Sequence, residues 1–209
     1  MRLPCVRSIG QADRHSQGAM TALATKRILI GGIGNVLLGD DGAGPYIVQL
    51  LMSRYEFKDN VEIVDLGTPA LDLIDRISGK DQVILIDAID AKATEAAPGT
   101  VVLYNKAAIM RQHPSVRMDP HSPALVDALL SAELFEVAPA NLLLVGIVAE
   151  SYDAGCILSR SVKASLDRVV AVVLHELDQF GVGYRLRERP TEFGAWWTVH
   201  EEANSPLAS

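Results

Sequence analysis

The sequence predicts a single α/β domain, with a five-stranded, mostly parallel, twisted sheet and helices on both faces. The chain has 209 residues, which suffices for one buried core but is short for two domains. Short apolar runs alternate with segments of helical periodicity, the order typical of parallel strands joined by crossover helices. Because only 5% of the residues are aromatic although 49% are hydrophobic, we expect an aliphatic core, as in sheets covered on both faces.

Five short apolar runs predict the strands. The first occupies 27–33 and ends in glycines, and the run at 82–87 is apolar up to Asp87, which is typical of a central strand. The other predicted strands occupy 61–66, 100–104 and 141–149.

Four segments carry helical signals. In 159–180 apolar residues follow one another at steps of three and four, from Val162 to Phe180. Thr68 followed by Pro69 predicts a helix start at that point. The other predicted helices occupy 42–54 and 121–136, and we expect a polar loop from 105 to 120.

The predicted domain spans 26–183, between two segments without clear periodicity. Residues 1–25 predict a loosely ordered extension, and residues 184–209 a tail of uncertain structure, either a hairpin or a loose segment.

Composition excludes several classes of protein. The net charge is −7 without a cluster of basic residues, so we expect no nucleic-acid partner. Cys5 and Cys156 are the two cysteines and form no disulfide framework, which is typical of a reduced cytoplasmic protein. We expect no membrane insertion, because no apolar run reaches the roughly 18 residues of a membrane helix and the N-terminus lacks a secretory signal. We also expect a monomer.

The loop after the first strand combines glycines with two adjacent carboxylates, Asp40 and Asp41. A dinucleotide site is one alternative, but Leu37 occupies the position of the third glycine in the fingerprint, and two aspartates would repel a pyrophosphate. A turn with a helix N-cap would explain one of the two aspartates. Because adjacent carboxylates repel each other and a cation relieves that repulsion, the pair favours a metal site.

Two further residues are candidate ligands. Asp87 ends the most apolar strand, where a parallel sheet presents functional groups, although an aspartate there can also cap a helix. His121 lies in a loop that follows the fourth predicted strand, so we expect it at the same edge, although an isolated loop histidine is often only solvated. Carboxylates with an imidazole form a mixed oxygen and nitrogen site suited to zinc, nickel or manganese.

The segment 32–44 resembles the signature of the hydrogenase maturation proteases, the endopeptidases that trim the C-terminus of the large subunit of nickel–iron hydrogenases. The resemblance continues at 67–68, 86–88 and 120–122, in the same order, and covers about 27–180. It implies an α/β peptide hydrolase. The family's metal-binding acid, which is Glu or Asp, corresponds to Asp41, its second carboxylate to Asp87 and its imidazole to His121.

The resemblance also implies a substrate, the nickel-loaded precursor of a hydrogenase large subunit. In this interpretation Asp41, Asp87 and His121 are both the metal ligands and the catalytic residues, and the substrate supplies the nickel. Zinc or cadmium can take its place in vitro. The metal acts as a Lewis acid, or a carboxylate acts as general base while nickel only positions the substrate. Asp40 is a candidate for that base or a loop-shaping residue, and the alternative function is a non-cleaving metal-sensing or chaperone module for hydrogenase assembly.

Overall fold

The predicted five-stranded, mostly parallel sheet is present in a computed structural model that describes residues 26–70, 72–111 and 122–191. The strands are β1 Ile28–Ile33, β2 Tyr55–Phe57, β3 Val61–Gly67, β4 Gln82–Ile89, β5 Val101–Asn105, β6 Asn141–Val148 and β7 Tyr184–Leu186. The main sheet has the order β3-β1-β4-β6-β5. Its first four strands are parallel, and β5 pairs with β6 in the antiparallel direction.

Helices cover both faces of the sheet, as predicted. They are α1 Ala43–Arg54, α2 Leu73–Ile77, α3 Ala91–Thr94, α4 Lys106–Arg111, α5 Ser122–Leu134 and α6 Arg160–Gln179, and one turn of 3₁₀ helix spans Gly39–Gly42. Among the described residues, none of these helices combines the length and apolar character that a membrane crossing requires.

Alternation along the strands divides the core into two layers. Ile84 and Ile86 of β4 pack in the layer formed with α1 and α6. Val83, Leu85 and Ile89 of the same strand pack in the layer formed with α2, α4 and α5. The central strand is therefore buried on both faces, which is why its sequence is apolar without alternation.

Two local predictions were wrong. The helix expected to start at Pro69 begins at Leu73, because the preceding residues form a turn in which the Leu73 amide donates to the Ala70 carbonyl. The segment expected to be a loop from residue 105 contains α4, which begins at Lys106. The side chain of Asn105 accepts a hydrogen bond from the Ala108 amide, so the helix start depends on an asparagine cap within a polar stretch.

The end of the described chain pairs with the segment that follows α1. β7 lies antiparallel to β2, with Tyr184 opposite Phe57 and Leu186 opposite Tyr55. Residues 184–186 thus form a strand, whereas 1–25 and 192–209 lie outside the described residues.

Candidate functional site

The glycine-rich loop packs tightly on the carboxyl ends of β1 and β4. Gly34 has φ +135°, and a Cβ atom there would lie 1.8 Å from the carbonyl oxygen of Asp41. A Cβ atom on Gly44, at the start of α1, would lie 2.4 Å from the carbonyl oxygen of Ile86. Because the chain's own backbone fills the space that these glycines leave, they serve close packing rather than a cradle for a pyrophosphate.

Asp41 lies in the 3₁₀ turn at this edge and is 1% exposed. Its Oδ2 atom accepts a hydrogen bond of 2.7 Å from the backbone amide of Asn35, at the opposite side of the loop. The turn packs against β4, the strand that carries Asp87. The two predicted carboxylate ligands therefore lie on elements in direct contact.

Asp87 is 8% exposed and lies inside β4, two residues before the strand ends at Ile89. Strand alternation directs it to the same face as Leu85 and Ile89, the face covered by α5. The helix that follows is capped by Asp90, whose Oδ1 accepts from the Lys92 amide at 2.8 Å. Helix capping thus falls to Asp90, which leaves Asp87 available for another role.

His121 lies outside the described residues, so its role stays a prediction. The argument that placed it at the site was wrong in one respect: β5 is antiparallel, and its end at Asn105 pairs with Leu143, near the amino ends of the parallel strands. Helix α5 reverses this direction. Its C-terminal connection lies at those amino ends, where the Gly79 amide donates to Val137, and its 13 residues span about 20 Å. Its first residue, Ser122, therefore lies away from the amino edge.

Asp40 is 1% exposed, and its carboxylate accepts three backbone hydrogen bonds. Oδ1 accepts from the Ser159 amide at 2.6 Å. Oδ2 accepts from the amides of Glu150 and Ser151 at 2.8 and 3.2 Å. Both oxygens are thus bound to the connection between β6 and α6.

A cavity of about 490 Å³ separates the glycine-rich loop from the β6–α6 connection. Sequence reasoning considered Cys156, in its lining, only as a nucleophile and missed the connection itself, because hydrogen bonds to backbone amides leave no pattern in a sequence. The lining also includes Gly39, Asp40, Ser151, Asp153, Ile157 and Ser159.

The described residues supply two of the three predicted metal ligands. Among them, no three His, Cys, Asp or Glu side chains lie close enough together to hold a metal ion. Asp41 and Asp87 are nevertheless buried carboxylates at one edge of the sheet. Because a nearby cation offsets the cost of burying such groups, their chemistry fits a divalent metal.

Comparison with known proteins identifies the family. The family model described as "Hydrogenase maturation protease" matches residues 45–176. The chain belongs to the hydrogenase maturation protease family and is a peptide hydrolase. The Hydrogenase 2 maturation protease of Escherichia coli K12 is 34% identical over 156 residues, 75% of this chain and 93% of that protein.

Other members agree in sequence and in fold. The hydrogenase expression/formation protein HupM of Azotobacter chroococcum is 36% identical over 170 residues, 81% of this chain and 80% of that protein. The solved structure of the hydrogenase maturating endopeptidase HybD from E. coli is 33% identical, with a TM-score of 0.70 over 77% of this chain and 98% of its own. The sheet and its helices are therefore the fold of this protease family.

Proposed function

We propose that this protein removes a short C-terminal peptide from the nickel-loaded precursor of a nickel–iron hydrogenase large subunit. The observation that carries the proposal is the pair of buried carboxylates, Asp41 and Asp87, at the edge where the 3₁₀ turn packs against β4. Family membership supplies the class of reaction, and this pair supplies a place where the substrate's metal binds.

In the proposed reaction nickel is part of the substrate. Asp41 and Asp87 donate oxygen ligands to it, and His121 donates a nitrogen ligand, a combination that suits nickel. The precursor therefore binds productively only after it has received its metal. Cleavage becomes a checkpoint for nickel loading, and the protease itself needs no resident metal.

The test is an incubation of the purified protein with nickel-loaded precursor, followed by mass spectrometry of the large subunit. We expect the mass to fall by that of one C-terminal fragment. The same precursor without nickel should keep its mass, and so should the loaded precursor mixed with the Asp41→Asn variant.

Two results would contradict the proposal. An unchanged mass with loaded precursor, while a family protease of known activity cleaves its own substrate in parallel, would exclude cleavage. Stable binding of the precursor without cleavage would instead favour a non-cleaving assembly module. Equal cleavage of precursor with and without nickel would remove the checkpoint.

A further inference from the structure

We infer that Asp40 is a positioning residue, which holds the turn that presents Asp41 and is not the general base of the reaction. The assignment of Asp41 as a ligand of the substrate's nickel rests on the proposed function. The contacts of Asp40 itself do not depend on it.

A general base needs a carboxylate oxygen that can approach the proton it removes. Asp40 does not offer one, because it is 1% exposed and both of its oxygens accept backbone hydrogen bonds. Its three donors are main-chain amides, which cannot move aside without opening the connection between β6 and α6. The geometry is that of a fixed brace.

The brace is reinforced by the main chain around it. The Gly39 amide donates to the Gly155 carbonyl at 2.7 Å, and the Gly155 amide donates to Leu37 at 2.9 Å. The amide of Asp40 donates to the Ser151 carbonyl at 3.1 Å. The segment before Asp41 is thus bonded along its length to residues 151–155.

The brace acts on Asp41 through the turn. The Asp41 amide donates to the Leu38 carbonyl at 3.1 Å, and its Oδ2 accepts from Asn35 at 2.7 Å. If the bonds of Asp40 break, the turn can move relative to the loop at Asn35. The Asn35–Asp41 hydrogen bond is therefore the place where the effect of Asp40 on the ligand can be measured.

The first variant is Asp40→Asn, which keeps the size of the side chain but opposes an NH₂ group to backbone donors. Hydrogen exchange of individual amides, followed by NMR on the protein alone, reports each bond. Because a hydrogen bond to a charged group is stronger than a neutral one, we expect exchange about tenfold faster or more at Glu150, Ser151 and Ser159. We expect the Asn35 amide to exchange faster as well. Asp153→Asn is the matched control on the same connection, where the carboxylate accepts from the Ser151 hydroxyl.

A second variant leaves Asp40 intact and guards against loss of folding. Ser159 has φ −60°, which proline can adopt. Ser159→Pro removes the amide that donates to Asp40 together with the capping hydroxyl, whereas Ser159→Ala removes only the hydroxyl. The difference between these two variants isolates the bond to Asp40.

Exchange and cleavage together decide the assignment. Faster exchange at Asn35, with a similar loss of precursor cleavage in Asp40→Asn and in Ser159→Pro relative to Ser159→Ala, supports a positioning role. Unchanged exchange at Asn35 in both folded variants would overturn it. Loss of cleavage in Asp40→Asn with normal exchange would identify Asp40 as the base instead. If the wild-type protein cleaves no precursor, the proposed function fails, while the exchange data still test the brace.

Discussion

Gly34 and Asp41 meet at a point where the loop admits no side chain. A Cβ atom on Gly34 would lie 1.8 Å from the Asp41 carbonyl oxygen, and Gly34 itself has φ +135°. The amide of Gly34 also donates to the Gly67 carbonyl at 2.7 Å. Gly34 thus holds the Asp41 turn against the end of β3, so its lack of a side chain is a requirement of the site's geometry.

The first prediction is that Gly34→Ala displaces the Asp41 turn and lowers stability. The substitution combines backbone strain of about 1–3 kcal/mol with a clash against main-chain atoms. Gly155→Ala is a matched control, since Gly155 has φ +148° but nothing within 4 Å of its Cβ position. Thermal unfolding of both variants should show the larger loss for Gly34→Ala, and equal losses would mean that strain alone matters there.

The second prediction concerns the carboxylates that we propose as ligands. Asp87→Asn should reduce precursor cleavage by at least about 100-fold, because changes beyond the ligands already cost a metal site 10- to 100-fold. The fold should persist, since Asp and Asn have nearly the same size. The measurement is initial cleavage rate beside circular dichroism.

A suitable control for Asp87→Asn is Asp167→Asn. The Asp167 side chain is 84% exposed and pairs with Arg54 on the surface, where an ion pair contributes about 1 kcal/mol or less. We expect this variant to cleave at the wild-type rate. Normal cleavage by Asp87→Asn would exclude Asp87 from the site.

Much of the fold could be predicted because the core layers impose a periodic pattern on the sequence. The apolar run of β4 and the three- and four-residue steps of α6 follow directly from burial on one or both faces. Strand direction leaves no such mark. Edge strand β5 runs antiparallel to β6, and nothing in 100–104 distinguishes the two orientations. The predicted path to His121 was therefore wrong even though α5 leads back from the amino edge.

The candidate site shows the same division between what a sequence displays and what it does not. Asp41 and Asp87 stand out because carboxylates are unusual beside glycines and at the end of an apolar strand. The different environments of Asp40 and Asp41 were not predictable. The three amides that bind Asp40 lie between 110 and 119 residues away in sequence, and every residue other than proline has such a donor.

The third prediction tests the central strand. Ile84 in β4 is fully buried, so Ile84→Ala should cost about 2–5 kcal/mol, from lost burial and from the cavity left behind. Leu134→Ala is the control, because Leu134 is 78% exposed. Chemical denaturation should show the large loss for Ile84→Ala and almost none for Leu134→Ala. A similar small change in both would contradict the position of β4 at the centre of the sheet.

The fourth prediction is a pH dependence of the pairing between β2 and β7. Glu56 accepts a hydrogen bond from Arg185 Nε at 3.1 Å and one from Arg187 Nη1 at 3.2 Å. The hydrogen bond and charge of Arg185 lower the pKa of Glu56 from its ordinary value of 4.5, and the charge of Arg187 lowers it further, against a smaller opposing effect of burial. The stabilisation is therefore complete above 4.5 and is lost as the pH falls through the lower pKa of the folded protein.

Replacement of Glu56 by Gln should loosen this pairing at pH 7 and have little effect at about pH 3, where the wild-type carboxyl group is also neutral. The amide of Arg187, which donates to the Arg54 carbonyl at 2.9 Å, reports local opening by hydrogen exchange. The ratio of variant to wild-type exchange rates at each pH removes the intrinsic effect of pH on exchange. Glu188→Gln, next to the pairing, is the control and should give a ratio near one throughout. A ratio for Glu56→Gln that stays constant from pH 7 to pH 3 would show that its charge does not hold β7 against β2.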